Sequence, residues 1–134
     1  MLKSACLILL AAACVLLTGC RRDAEINSAL TEVDSFTKEL ENLIKADPSS
    51  KGVDNAQQYL DARKREIKLK TSYLTRVRGI QVSDETEKRL IETVRRDQMT
   101  ITSLPSIPNL PVNDAAFKTK LDKLINDYLE LFQA

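Results

Sequence analysis

The amino-acid sequence predicts an all-α fold, an up-down bundle of four amphipathic helices that follows a cleaved N-terminal signal helix. Apolar residues recur at spacings of three and four over four long segments, which is the period of one helix face. Two short turns and one proline-rich connector join these segments, and short connections favour antiparallel neighbours. All three cysteines lie within the first twenty residues, so the core has to form without disulfide bonds.

The first nineteen residues have the composition of a signal peptide. Lys3 supplies a positive charge, and an apolar run of thirteen residues follows at 5–17. This run is shorter than the about 20 residues that a membrane-spanning helix needs. Residues 17–20 close it with a small-residue cleavage site that ends in Gly19 and Cys20. An uncleaved anchor or a buried core helix is the alternative interpretation.

The tetrapeptide at 17–20, Leu-Thr-Gly-Cys, resembles the lipobox of bacterial lipoproteins. That resemblance implies cleavage between Gly19 and Cys20 and a lipid on Cys20, which would tether residues 20–134 to a membrane on its periplasmic side. In lipoproteins of the enterobacterial type, an aspartate after the cysteine resembles a signal for inner-membrane retention. Arg21 stands there in this chain, which favours the outer membrane. The resemblance covers the first twenty residues and implies no activity.

Residues 20–134 are predicted to form one domain with four helical segments. The first spans 24–45, and the second runs to Arg78, where Gly79 would provide a left-handed cap. The third begins after Ser83 as N-cap, and the fourth begins at 113–114. The expected core residues are Ile26, Leu30, Val33, Thr37, Leu40 and Ile44, then Val53, Leu60, Ile67 and Leu74, then Leu90, Ile91, Val94 and Ile101, and finally Phe117, Leu121, Leu124, Tyr128 and Leu131.

A proline-rich connector occupies 104–112, between the third and fourth helices. Three prolines spaced three residues apart oppose helix formation, so we expect an extended segment that is polyproline-like in places. Ile107 and Leu110 lie between these prolines. They either cover one end of the core or present a docking ligand.

Composition argues against several classes of function. The chain contains no histidine, which removes the commonest general base and metal ligand. Lys3 is the only charged residue before Cys20, so the mature chain carries equal numbers of basic and acidic side chains and does not favour nucleic acid. No catalytic residues, metal ligands or cofactor are predicted.

Two charged residues fall within the apolar row of the second helix, Arg63 and Lys70. A charge in that row has to reach the edge of the core or find a partner. If the first two helices form an antiparallel hairpin about the turn at 47–52, Asp34 lies opposite Arg63. The sequence therefore predicts a structural Asp34–Arg63 ion pair that fixes the register of the hairpin.

The expected function is that of a non-enzymatic, membrane-anchored module of the cell envelope, held by the lipid on Cys20 and bound to an envelope protein. An alternative is a tethered protein that binds lipid or another small apolar ligand. A third possibility resembles the small helical lipoprotein that links the outer membrane to peptidoglycan through a C-terminal lysine. This chain ends in Ala134, so that possibility ranks last. Apolar spacings of seven residues also allow self-association.

Overall fold

A computed structural model describes the backbone of residues 2–77 and 82–134, and the side chains of residues 22–77 and 82–134. Helices joined by turns and one connector make up these residues, with no strand among them, which confirms the predicted all-α class. None of the described helices is long and apolar enough to cross a membrane. The predicted cap at Gly79 lies outside the described residues. The elements are α1 (Leu2–Ala46), α2 (Ser50–Arg76), α3 (Asp84–Thr102), a 3-10 helix (Leu104–Ser106) and α4 (Ala115–Glu130).

The helices pack so that α1 and α4 lie diagonally across the bundle. Helix α1 packs against α2 on one side and α3 on the other, and α4 packs against the same two helices. Side chains of α1 are described from residue 22, and we call residues 22–46 the bundle segment of α1. The start of this segment meets the end of α2, where Tyr73 donates to Glu25 over 3.3 Å, so α1 and α2 are antiparallel. The start of the bundle segment also meets the start of α3, where the Ser83 N–H donates to Asp23 over 3.1 Å, so α1 and α3 are parallel.

The core is built from the predicted apolar stripes of α1, α2 and α4, whose members are all buried. Helix α3 differs from its predicted pattern. Its predicted core residue Ile91 is 44% exposed, and the helix instead buries a row that is largely polar. The face is rotated because the neighbouring helices bury every third or fourth residue from Thr86 onward, whatever its polarity. The buried row of α3 is Thr86, Leu90, Thr93, Asp97 and Ile101.

Side-chain caps define where α2, α3 and α4 begin. The Ser49 hydroxyl accepts a hydrogen bond from a backbone N–H in the first turn of α2. Ser83 accepts from the Thr86 N–H over 3.2 Å, and Asp114 accepts from the Phe117 N–H over 2.7 Å. Such caps satisfy N–H groups that have no partner within the helix. The predicted starts of the third and fourth helices are therefore confirmed.

The connector between α3 and α4 is more compact than an extended segment. A 3-10 helix forms at Leu104–Ser106 with Pro105 in its first turn, where the missing N–H of proline costs no hydrogen bond. Leu104 and Leu110 are buried. Asn109 turns the chain with a φ of 69°, a conformation that asparagine adopts more readily than most residues. The connector covers one end of the core, as one of the two interpretations predicted.

Candidate functional site

A groove separates α2 and α3 in the half of the bundle that holds the start of the bundle segment of α1. Helix α4 ends at Glu130, and beyond this point the two helices have no α4 residue to cover the space between them. The volume of this groove, which is open to solvent on one side, is about 310 Å³. We call this space the α2–α3 groove. Its lining consists of Thr71, Leu74 and Thr75 from α2, Leu90, Ile91, Val94, Arg95 and Gln98 from α3, and Phe132.

Hydrogen bonds join the end of α4 to α2, and these contacts position Phe132 in the groove. Thr71 donates a hydrogen bond to the Leu131 carbonyl. Lys68 donates to the carbonyls of Glu130, over 2.8 Å, and Gln133. The carbonyls after the last turn of a helix have no partner within it, so these side chains serve as its C-terminal caps.

The walls of the groove carry few polar groups that lack a partner. The Thr71 hydroxyl donates to carbonyl groups, and the Thr75 hydroxyl donates to the Ser72 carbonyl over 3.0 Å. Arg95 and Gln98 are different, because neither side chain forms an ion pair or hydrogen bond with any residue that the structure describes. The groove is therefore apolar, with one unpaired guanidinium and one unpaired amide beside it.

A second unusual feature is a pair of carboxyl groups at the contact between α1 and α3. Asp97 lies on the buried row of α3 with only 3% of its side chain exposed, and its Oδ2 has no hydrogen-bond donor among the described residues. The Asp34 and Asp97 carboxyl groups are close enough to share a hydrogen bond when one of them is protonated. Asp34 also accepts from Lys38 and Arg96, each over 2.7 Å. We call Asp34 and Asp97 the carboxyl pair.

The two members of the carboxyl pair titrate in opposite directions. Burial raises the pKa of Asp97 to about 7, and the hydrogen bond and negative charge of Asp34 act in the same sense. Burial also opposes ionisation of Asp34, but hydrogen bonds from Lys38, Asp97 and Arg96 outweigh it and lower the pKa of Asp34. Asp34 therefore carries the negative charge, and Asp97 holds the proton that their shared hydrogen bond requires.

This pair is poorly suited to bind a metal ion. Lys38 and Arg96 already supply positive charge to Asp34. No group of three or more histidine, cysteine, aspartate or glutamate side chains suited to a metal ion occurs in the described part of the chain. The arrangement joins α1 to α3 through a buried, proton-dependent contact.

A row of aromatic rings runs from the α1–α2 contact to the groove. Phe36 stacks on Tyr59, with ring centroids 5.4 Å apart, and on Tyr128, at 6.3 Å. Tyr128 in turn contacts Phe132 at 5.3 Å. The Arg63 guanidinium lies over the rings of Phe36 and Tyr59 at 5.9 and 5.8 Å, within the range of a cation–π contact.

The predicted ion pair between Asp34 and Arg63 is not formed. Arg63 instead contacts Glu66 on its own helix at 3.0 Å and donates to the Tyr59 hydroxyl over 3.0 Å. The hairpin register is close to the predicted one, since Lys70 contacts Glu32 at 2.7 Å. The pairing fails because Asp34 lies on the side of α1 that faces α3.

The other predicted site residues, Gly19 and Cys20, lie outside the residues whose side chains are described. Two residues of interest were not among the predicted sites, Asp97 and Arg95. Asp97 could have been found from its spacing, because it continues the row of Leu90 and Thr93 at intervals of three and four. Arg95 carries no such signal, since its position beside a groove depends on where α4 ends.

Comparison with known proteins does not assign either feature to a known site. No family model, curated protein or solved structure matches the chain. The geometry of the described residues and the motif at 17–20 therefore carry the functional argument.

Proposed function

We propose that the mature chain is a non-enzymatic lipoprotein of the cell envelope, a four-helix up-down bundle held at a membrane by a lipid on Cys20. The observation that carries this proposal is the motif at residues 17–20, which follows a positively charged start and an apolar run of signal-peptide length. The outer membrane is the favoured location because arginine follows Cys20.

The contacts of Asp23 and Glu25 support an orientation for the bundle. Asp23 accepts from the Ser83 N–H, and Glu25 accepts from Tyr73. The start of the bundle segment of α1 is thereby held against the end of α2 and the start of α3. Only Arg21 and Arg22 separate Asp23 from the proposed anchor, so this end of the bundle would lie nearest to the membrane.

We infer that the bundle acts as an interaction module for another envelope protein. Among the residues whose side chains are described, three large apolar ones are exposed, with Leu69 at 65%, Met99 at 58% and Ile91 at 44%. Ile91 and Met99 both lie on α3, so this helix offers the contact surface. The equal numbers of basic and acidic side chains in the mature chain give no support for a nucleic-acid partner.

Replacement of the anchoring cysteine tests the attachment. Cys20→Ser should move the protein from the membrane fraction on fractionation and abolish incorporation of a labelled fatty acid. Cys14→Ser, in the apolar run, is the matched control and should leave both unchanged. A Cys20→Ser protein that still incorporated the fatty acid would refute the proposal.

Site-specific cross-linking in whole cells tests the partner surface. A photoreactive residue at Met99 or Ile91 should give a protein adduct that the same residue at Lys118, an exposed position on α4, does not give. Lipid adducts alone at both α3 positions would contradict an interaction module.

A second candidate function is the binding of a lipid or another small apolar ligand. The observation that favours it is the α2–α3 groove, whose volume of about 310 Å³ lies at the lower end of the range for small-molecule sites, about 300–1,000 Å³. Native mass spectrometry of the lipidated protein tests this candidate, because a bound ligand adds a defined mass. A bare protein mass from gently solubilised membranes would count against it.

A further inference from the structure

We propose that the α2–α3 groove binds a single fatty-acid molecule, with its acyl chain between α2 and α3 and its carboxylate at Arg95. This inference rests on the second candidate function and names its ligand and its binding residues. Three features of the groove lead to it: its size, the state of its polar groups and its place in the bundle.

The size of the groove favours one acyl chain over a lipid with two chains. Its volume of about 310 Å³ is near the lower limit for ligand sites. The walls are apolar where a chain would lie, with Leu74, Leu90 and Val94 on the two helices and Phe132 at the end of α4. Burial of an acyl chain against these walls removes apolar surface from water, which favours binding.

The polar groups of the groove favour an anionic headgroup. The hydroxyls of Thr71 and Thr75 donate to backbone carbonyls, so they need no ligand. Arg95 lines the groove and has no ion-pair partner among the described residues. Guanidinium groups bind carboxylates through two parallel hydrogen bonds. The Gln98 amide, one turn further along α3, provides a further donor.

The location of the groove favours a ligand that comes from a membrane. Thr75 is one residue from the end of α2, and Leu90 is two turns from the start of α3. Both lie in the half of the bundle that contains the start of the bundle segment of α1, the end nearest to the proposed anchor at Cys20. A protein tethered there would encounter fatty acids at the membrane surface.

Photoaffinity labelling of the lipidated full-length protein in isolated membranes tests this inference. Two probes are used, palmitic acid with a diazirine in its chain and the methyl ester of the same molecule. Peptide mapping should place adducts of the acid on 71–75 and 90–98. Arg95→Gln should reduce labelling by the acid about tenfold and leave labelling by the ester unchanged, while Arg95→Lys should retain most of it.

Matched variants separate the groove from the rest of the surface. Val94→Trp would fill the groove and should reduce labelling by both probes. Leu69→Trp adds the same ring to an exposed position on α2 that does not line the groove and should change neither. Arg65→Gln removes an exposed arginine from α2 outside the groove and should also have no effect. Circular dichroism of each variant verifies that the bundle remains folded.

The labelling experiment distinguishes failure of the carboxylate site from failure of the apolar-ligand function. Equal labelling of the groove by acid and ester, in both the wild type and Arg95→Gln, would overturn the carboxylate site while the apolar-ligand function stands. The absence of adducts from the groove with either probe would overturn both. Protein–protein cross-links through the groove that persist in excess palmitate would assign it to a protein partner and overturn the inference. None of these outcomes affects the test of the anchor at Cys20.

Discussion

Thr37 of α1 and Tyr128 of α4 join these two diagonally opposite helices through a buried hydrogen bond of 2.6 Å. The Thr37 hydroxyl donates its proton to the Val33 carbonyl over 2.9 Å. Tyr128 is therefore the donor to Thr37, since a threonine hydroxyl has one proton to give. Both side chains are almost fully buried, so water does not replace a lost partner.

The direction of this hydrogen bond predicts that the two residues differ in their sensitivity to substitution. Thr37→Val removes the acceptor and leaves the Tyr128 hydroxyl buried without a partner, which costs about 1–3 kcal/mol. Tyr128→Phe removes the donor while Thr37 still donates to Val33, and should cost about 0.5–1.5 kcal/mol. Urea denaturation of a purified fragment, residues 21–134, measures both values.

The double variant provides the control. With both polar groups removed, no unpaired group remains, so the loss should be smaller than the sum of the two single losses. Strict additivity of the two losses would show that the hydrogen bond contributes nothing in solution.

The raised pKa of Asp97 predicts that the bundle loses stability as the pH rises through the neutral range. Its pKa is about 7 in the folded protein, against an ordinary value of 3.8. Between these values the folded state holds a proton that the unfolded state has released, so the free energy of unfolding falls as the pH rises. The fall should begin near pH 4 and level off above pH 7. Each pH unit of separation corresponds to about 1.4 kcal/mol.

Other groups that face Asp97 do not obscure this trend. Asp34 on α1 has a lowered pKa, so its contribution to stability is lost only in acid, below the window. Tyr128 on α4 has a raised pKa because of its burial and titrates above the window. The charges of Arg96 and Lys38 act to lower the pKa of Asp97, but they are smaller causes than its burial.

Substitution of Asp97 by asparagine identifies the group responsible. The asparagine amide introduced at this position can donate to Asp34 without a titrating proton. Asp97→Asn should therefore flatten the profile between pH 5 and 8 and raise the free energy of unfolding at pH 8. Asp122→Asn, at an exposed ion pair with Lys118, should keep the wild-type profile. Thermal unfolding followed by circular dichroism at several pH values measures these profiles.

The sequence predicted the elements that depend on local pattern. The stripes on α1, α2 and α4 and the starts at Ser83 and Asp114 follow from helical spacing and capping chemistry, which neighbouring residues determine. The face of α3 was not predicted well, because Ile91 and Val94 are more apolar than Thr93 and Asp97. Partners from α1 and α4 decide which of these residues is buried, and hydrophobicity along α3 does not contain that information.

The candidate sites were less predictable than the fold for a similar reason. The carboxyl pair joins residues 63 positions apart in parallel helices, and the groove exists because α4 ends at Glu130 while α2 and α3 continue past it. The predicted register of the α1–α2 hairpin was near the observed one, yet the prediction paired Asp34 with Arg63. The register determines the position of a residue along the helix axis. The partner of that residue also depends on the side of the helix on which the residue lies.

The observed partners of Asp34 predict the result of charge exchange. Asp34 and Arg63 share no contact, so Asp34→Arg and Arg63→Asp should each destabilise the bundle and the double exchange should recover none of the loss. The Arg96 guanidinium and the Asp34 carboxylate are 2.7 Å apart, measured from Nη2 to Oδ1. The combination of Asp34→Asn with Arg96→Gln should therefore lower the free energy of unfolding by less than the sum of the two single changes. Recovery by the Asp34–Arg63 exchange would contradict the observed pairing.

The surroundings of Gly52, in the first turn of α2, predict that its substitution by alanine lowers the stability of the protein. Alanine is normally preferred over glycine in a helix by about 1 kcal/mol. A Cβ atom at position 52, however, would lie 1.8 Å from the Asp47 carbonyl oxygen. That oxygen accepts from the Ser49 N–H over 2.8 Å, so the turn between α1 and α2 cannot move away freely.

Gly52→Ala should therefore destabilise the protein by about 1–3 kcal/mol, as overpacking of a core does. Asn55→Ala, at an exposed position in the same helix, is the matched control and should be neutral or slightly stabilising. Urea denaturation midpoints at constant m-value measure the difference. An increase in stability for Gly52→Ala would show that the turn opens at little cost, and that the close approach of Asp47 to α2 does not fix the α1–α2 hairpin.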